Sequence, residues 1–133
     1  MKKRGILYIM LFLLSLYIVS SITILPTSFS AEIYEITTYN ISVDNTNIGQ
    51  DANITQVDIT IPSSFTFVED SNGTDALFES FSNTSTVLSW TNSSGYLING
   101  SELKYFWFRA NASILGSYDI TVTSFNARAN SGL

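Results

Sequence analysis

This sequence predicts an all-β fold, an antiparallel β-sandwich of about seven strands preceded by an N-terminal hydrophobic helix. Three observations predict it. Short runs of alternating apolar and polar residues recur roughly every ten residues. No stretch after Pro26 carries a 3.6-residue apolar stripe over three turns. The opening Met1-Lys2-Lys3-Arg4 places three of the chain's six bases directly ahead of a long apolar run.

That run, Gly5 to Leu25, is about 21 residues long, against the ~20 that cross a hydrocarbon core. A basic flank held at the cytoplasmic face and followed by an apolar helix is what a secretion translocon reads. Three outcomes stay open. In the first the segment is a cleaved signal peptide: Pro26 ends the helix, Ser28-Phe29-Ser30 offers small residues to a peptidase, and Ala31 begins the mature chain. In the second it is an uncleaved anchor, longer than an ordinary signal core of ~7–15 residues. Ser15, Ser20, Ser21 and Thr23 dilute its second half, which favours cleavage. The third is a pilin-type leader. Lys3-Arg4-Gly5 resembles such leaders, but Met10 stands where they carry an acid. The chain therefore divides into a leader or anchor at 1–30, a sandwich domain at 31–127 and a tail at 128–133.

The strands follow in order. Tyr39, Ile41 and Val43 alternate with Asn40, Ser42 and Asp44, and residues 45–51 form a polar loop. Val57, Ile59 and Ile61 then point one way and Gln56, Asp58 and Thr60 the other, until Pro62 stops the run. Phe65–Val68, Leu77–Phe81, Thr86–Trp90, Leu103–Arg109 and Tyr118–Phe125 complete the set, with Gly116 as punctuation.

Composition narrows the function. The part after residue 30 holds all eleven acids and only Lys104, Arg109 and Arg128 as bases. Such a surface is a poor partner for nucleic acid, which needs a basic face to release counterions. Cysteine and histidine are both absent, which removes the commonest nucleophile, general base and zinc ligands. The expectation is a non-enzyme without cofactors. A cysteine-free exported domain also points to a prokaryotic surface protein, since small exported animal domains are commonly stapled by disulfides.

The runs Ile41-Ser42-Val43-Asp44-Asn45-Thr46-Asn47-Ile48-Gly49, Ile54 to Pro62 and Phe65-Thr66-Phe67-Val68 resemble the immunoglobulin-like repeats of archaeal and bacterial surface proteins, the CARDB-like and related families. Leu88-Ser89-Trp90 falls where those repeats carry a tryptophan, and Gly116 to Thr123 resembles their last strand. The resemblance covers about Ile33 to Ala127 and implies an immunoglobulin-like sandwich. It implies no site, because the family shares a scaffold. Two departures stand out: there is one domain instead of a tandem array, and Tyr96 to Glu102 replaces a glycine-rich turn.

Three features could carry function. Asn40, Asn53, Asn72, Asn83, Asn92, Asn99 and Asn111 all begin glycosylation sequons, where roughly three of eleven exported asparagines would do so by chance. Asn40 has outward parity, and Asn72, Asn83, Asn92 and Asn99 fall in expected loops, where glycans should come first. A purely compositional origin in a Ser/Thr/Asn-rich chain is the alternative. The second feature is Tyr105-Phe106-Trp107-Phe108, which must send aromatics to both faces of one strand. With Trp90 needing large inward partners and Arg109 ending the face at the rim, Tyr105 and Trp107 are expected inside. Phe106 and Phe108 are then expected outside, under a covering element or as an interaction patch. The third is acidic. Asp44, Asp51 and Asp58, or Glu69, Asp70 and Asp75, could meet at a sandwich end around calcium, but none has the spacing of a known loop and solvated acids are the simpler account. Carboxylate pairs for glycoside hydrolysis have still less support.

The expectation is an extracellular, glycosylated, non-catalytic surface module, archaeal in character. Its partners would be envelope or surface proteins, its own copies included. The membrane would be met only through the leader. The rival is a filament subunit, assembled through a retained N-terminal helix or by donating Ile33–Thr38 to a neighbour's sheet edge.

Overall fold

A computed structural model describes residues 22–25, 28–46 and 52–129, with backbone only at Phe29 and 123–129. Among them there are ten strands and no helix. In chain order they are β1 (Thr23–Leu25), β2 (Ser28–Ala31), β3 (Ile36–Asp44), β4 (Ala52–Thr60), β5 (Phe65–Thr74), β6 (Ser80–Asn83), β7 (Val87–Thr91), β8 (Leu103–Ala112), β9 (Gly116–Asp119) and β10 (Thr121–Ala129). One sheet has the order β1-β3-β8-β5 and the other β10-β4-β7-β6, while β2 and β9 form a separate ribbon. All the paired strands are antiparallel.

The inner faces of the two large sheets share one core. Tyr39, Ile41 and Val43 of β3 face Ile59 and Val57 of β4, Leu88 and Trp90 of β7, and Phe106 and Phe108 of β8 in a single buried cluster. Aromatic contacts run within each sheet and, at Trp90 and Phe106, between them. Trp90 meets Phe106 at 5.3 Å and Phe81 at 5.0 Å between ring centres. Tyr39 stacks on Phe108 at 5.3 Å and touches Phe65 at 5.5 Å. Tilted and edge-on pairs of this kind add to the area they bury. At one end Asn45 is fully buried, its amide Nδ2 donating to the carbonyls of Ala52 at 3.0 Å and Asn99 at 2.9 Å.

The alternating pattern locates β3, β4, β7 and β8 to within a few residues. Elsewhere the structure departs from it for identifiable reasons. The expected helix to Leu25 reaches into strand: Thr23–Leu25 pairs with Ser42–Asp44, and Ile22 and Ile24 pack on the core. The rest of that helix falls on residues outside those described. The 1–30 leader thus overlaps β1 and nearly all of β2. The expected strand Tyr118–Phe125 is two strands that change partner at buried Ile120, β9 joining β2 and β10 joining β4. Gly116, expected as punctuation, begins β9. β10 runs on to Ala129, past the expected boundary at 127. Leu77 and Phe78, expected in a strand, lie before β6 and are exposed.

β5 contains the main irregularity. Its pairing with β8 jumps from Phe67↔Ala110 to Asn72↔Phe108, so four residues, 68–71, oppose Arg109 alone. Asp70 takes a left-handed φ of 58° there. The Ser71 hydroxyl oxygen accepts the Arg109 N–H at 3.2 Å, supplying the ladder bond the bulge interrupts.

Candidate interaction surface

β8 runs through the middle of its sheet and decides what that sheet shows to water. Phe106, Phe108, Ala110 and Ala112 are buried, whereas Tyr105 and Trp107 are 44 % and 37 % exposed. This reverses the expected parity, and Phe106 and Phe108 are core residues instead of an outward patch. Two physical facts set the choice. The strand continues to Ala112, so Arg109 lies well inside it and cannot be buried without a partner. Lys104, on the inward parity, is the second residue of the strand and pairs with Glu102, just ahead of it, at 3.8 Å. Phenylalanine also has no polar tip to satisfy, whereas the Tyr105 hydroxyl and Trp107 indole N–H are better left wet. Phe106 then supplies the large partner that Trp90 needs.

The outward residues form a row of Leu103, Tyr105 and Trp107, all exposed, ending at Arg109. On one side β3 sets Asn40 directly opposite Trp107, Ser42 opposite Tyr105 and Thr38 opposite Arg109. On the other side β5 sets Gly73 opposite Trp107. The indole lies over that glycine. A Cβ at position 73 would come within 2.5 Å of the ring, so only glycine lets it lie there unshifted. The result is a sheet face with two exposed aromatics, an aliphatic residue and short polar neighbours.

The sequon asparagines are dispersed and unequal. Asn40, on the outer face of β3, and Asn83, at the end of β6, are exposed. Asn83 Nδ2 donates to Glu69 Oε2 at 3.2 Å. Asn72 is not in a loop: it lies in β5 beyond the bulge, half-buried and in register with inward-facing Phe108. The amide of Asn92 is taken up by its own loop. Its Nδ2 donates to the carbonyls of Leu77 at 2.9 Å and Tyr96 at 3.2 Å, and its Oδ1 accepts the Gly95 N–H at 2.9 Å. Asn53 Oδ1 accepts the Gly100 N–H at 3.1 Å. Asn99 lies in the β7–β8 connection, where its carbonyl is bonded by Asn45, and Asn111 is half-buried on β8.

The described acids do not assemble. Asp44 Oδ1 accepts from the hydroxyl and then the N–H of Thr46, which lower its pKa in that order of importance. Asp58 accepts from the Gln56 amide and the Ser89 hydroxyl on the outer side of its sheet. Asp75 accepts the Tyr105 N–H at 2.7 Å, beyond the end of β5. Asp51 lies outside the described residues. Among the described residues no three acids come together as a metal-ligand set. An open groove of about 420 Å³ lies between β5 and the β6–β7 turn, lined by Phe65, Phe67, Glu69 and Thr86 among others.

Glu79 holds the loop after β7. Its carboxylate accepts from the Ser94 and Ser93 hydroxyls and from both backbone N–H groups. These bonds, the Ser94 and Ser93 hydroxyls first, pull its pKa from the ordinary 4.5 to about 2. A depressed carboxyl stabilises the fold above its unfolded pKa, and that contribution is lost as pH falls through the folded one. The clasp should therefore be complete above about pH 4.5 and open towards pH 2. In NMR titrations the Ser93 and Ser94 amide shifts should move with a midpoint near 2. A midpoint near 4.5 would mean that the clasp does not form.

The chain matches no family model, no curated protein and no solved structure.

Proposed function

We propose that this protein is a non-catalytic, glycosylated, immunoglobulin-like module displayed on the outside of a prokaryotic cell, making structural or adhesive contacts in the envelope. The observation that carries the reading is the outer face of β3 and β8, where Leu103, Tyr105 and Trp107 are exposed beside the exposed sequon residue Asn40. Apolar side chains gathered on one face of a small domain mark a contact surface. The basic and apolar N-terminus supplies the export signal. The topology supports an immunoglobulin-like core. β4, β7 and β6 are neighbours in one sheet, and β5 and β8 in the other, as strands B, E, D and C, F are in that fold. The departure is at the flanks. The N-terminal β3 lies where strand G would pair with F, and the C-terminal β10 where A would pair with B.

Labelling intact cells with a membrane-impermeant amine reagent, followed by intact-mass measurement, tests the proposal. The protein should be labelled and heavier than its polypeptide. Asn40 and Asn83 should carry glycan at higher occupancy than Asn72, whose side chain is half-buried, and Asn92, whose amide is held by three hydrogen bonds. Recovery only in an unlabelled cytosolic fraction would end the surface reading.

Strand addition between copies is the second reading. Ile36–Thr38 pairs with Arg109–Asn111 of its own β8, so the donor segment expected from the sequence is already used in part. What favours assembly is the edge of β3, which β1 covers only at Ser42–Asp44.

A further inference from the structure

The exposed row on β8 needs an occupant, and the register supplies one from this chain. We propose that a glycan on Asn40 folds back across β8 and stacks on Trp107 and Tyr105. This rests on the glycosylated-module reading and names what its contact face holds. Asn40 and Trp107 are direct cross-strand partners, so their side chains leave the same face of the sheet. Ser42, the third residue of that sequon, is the partner of Tyr105. Asn40 lies on the β3 side of β8, while the indole lies over Gly73 on the β5 side. A sugar chain linked to Asn40 therefore crosses β8, close to two strand spacings or ~10 Å, to reach the indole.

The chemistry is matched on both sides. One face of a pyranose presents axial C–H groups, slightly positive and poorly hydrated, and the face of an aromatic ring carries the negative lobe of its quadrupole. The hydroxyls at the sugar's rim would meet Thr38, Ser42 and Arg109, all short or flexible polar groups around the row. Stacking would remove from water the apolar surface that the sheet leaves open, which gives a glycan here a packing role beyond solubility. Asn83, the other exposed sequon residue, lies at the end of β6 in the opposite sheet, away from this row.

The chain has two tryptophans, Trp90 fully buried and Trp107 exposed, so acrylamide quenching of tryptophan fluorescence reports on Trp107. The full chain would be purified from the cells that make it, beside Asn40→Gln, Asn40→Thr and Asn83→Gln produced in the same cells. Glycopeptide mass spectrometry would establish occupancy at each site. The proposal expects Asn40 to be occupied and both Asn40 variants to show a quenching constant raised at least about two-fold, since Gly73 already covers one ring face and stacking hides the open one. Asn83→Gln should leave it unchanged. If Asn40 is occupied and its loss leaves quenching as it was, the stacking is wrong and the module reading survives. The stacking is equally wrong if Asn40 is empty while other sequons are filled. A quenching constant that depends on protein concentration would make a second copy the occupant and overturn the proposal. Absence of glycan at every sequon would remove the glycosylated reading as well.

Discussion

Phe106→Ala should destabilise the domain by about 3–5 kcal/mol, and Trp107→Ala by about 1 kcal/mol. The two residues are chain neighbours of similar bulk, yet one is fully buried and the other 37 % exposed. Phe106 is wedged against Trp90 from the facing sheet, so its loss leaves a cavity at the join of both layers. Trp107 lies over Gly73 with its other face open to water, so its loss leaves no enclosed cavity. Against a typical domain stability of ~5–15 kcal/mol, the first substitution threatens folding and the second does not. Urea unfolding of the two variants, expressed from Ile22 onward, measures the difference. Equal losses would mean that a further element covers the outer face.

A chain beginning at Ala31 should be less stable than one beginning at Ile22 by about 3 kcal/mol, the sum of two partly buried isoleucines at ~1.5 kcal/mol each. The shorter chain lacks Ile22 and Ile24, which pack on the core, and most of the strand that pairs with β9. It also bares the whole edge of β3, which β1 otherwise covers at Ser42–Asp44. Unpaired edges recruit other chains, so the shorter form should also self-associate as its concentration rises. Thermal unfolding and sedimentation of both chains test this together. Equal melting temperatures and two monomers would return residues 22–30 to the leader.

Local period decides how much of this fold is legible in the residues alone. Ile41 and Val43, or Val57, Ile59 and Ile61, show their inward face because their polar neighbours alternate without interruption. β8 is harder, since Lys104 and Arg109 argue for opposite parities. Only the length of the strand, which places Arg109 inside it and Lys104 near its end, resolves the conflict. Asp70-Ser71-Asn72-Gly73 has the composition of a turn, yet Asp70 and Ser71 end a bulge and Asn72 and Gly73 resume the strand, because β8 offers ladder partners on both sides of the bulge. β1 is hidden by its apolar surroundings, where a helical period and a three-residue strand look alike. Tyr118, Ile120 and Val122 alternate across the join of β9 and β10, and the period does not record a change of partner. For the candidate surface, the outward parity of Asn40 is legible. The engagement of Asn92 is not, since it depends on carbonyls of Leu77 and Tyr96 that only the folded loops bring near.

The three-residue β1 also determines where a tether would meet the domain. Thr23 is paired with Asp44, Ala129 with Ala52, and Asn45 bonds Ala52, so Thr23 and Ala129 emerge at the same pole of the sandwich. Ile36, where β3 begins, is at the opposite pole beside Asn111. With β1 in place, a tether ahead of Thr23 and any continuation after Ala129 share one attachment end. The module is then a pendant, and tension between the two passes it by. With β1 removed, entry and exit lie at opposite poles and the domain becomes a link in a line. A pull would then act lengthwise on β3 against β8 and on β10 against β4, loading whole ladders in shear. A short clasp of three residue pairs thus separates an ornament from a strut.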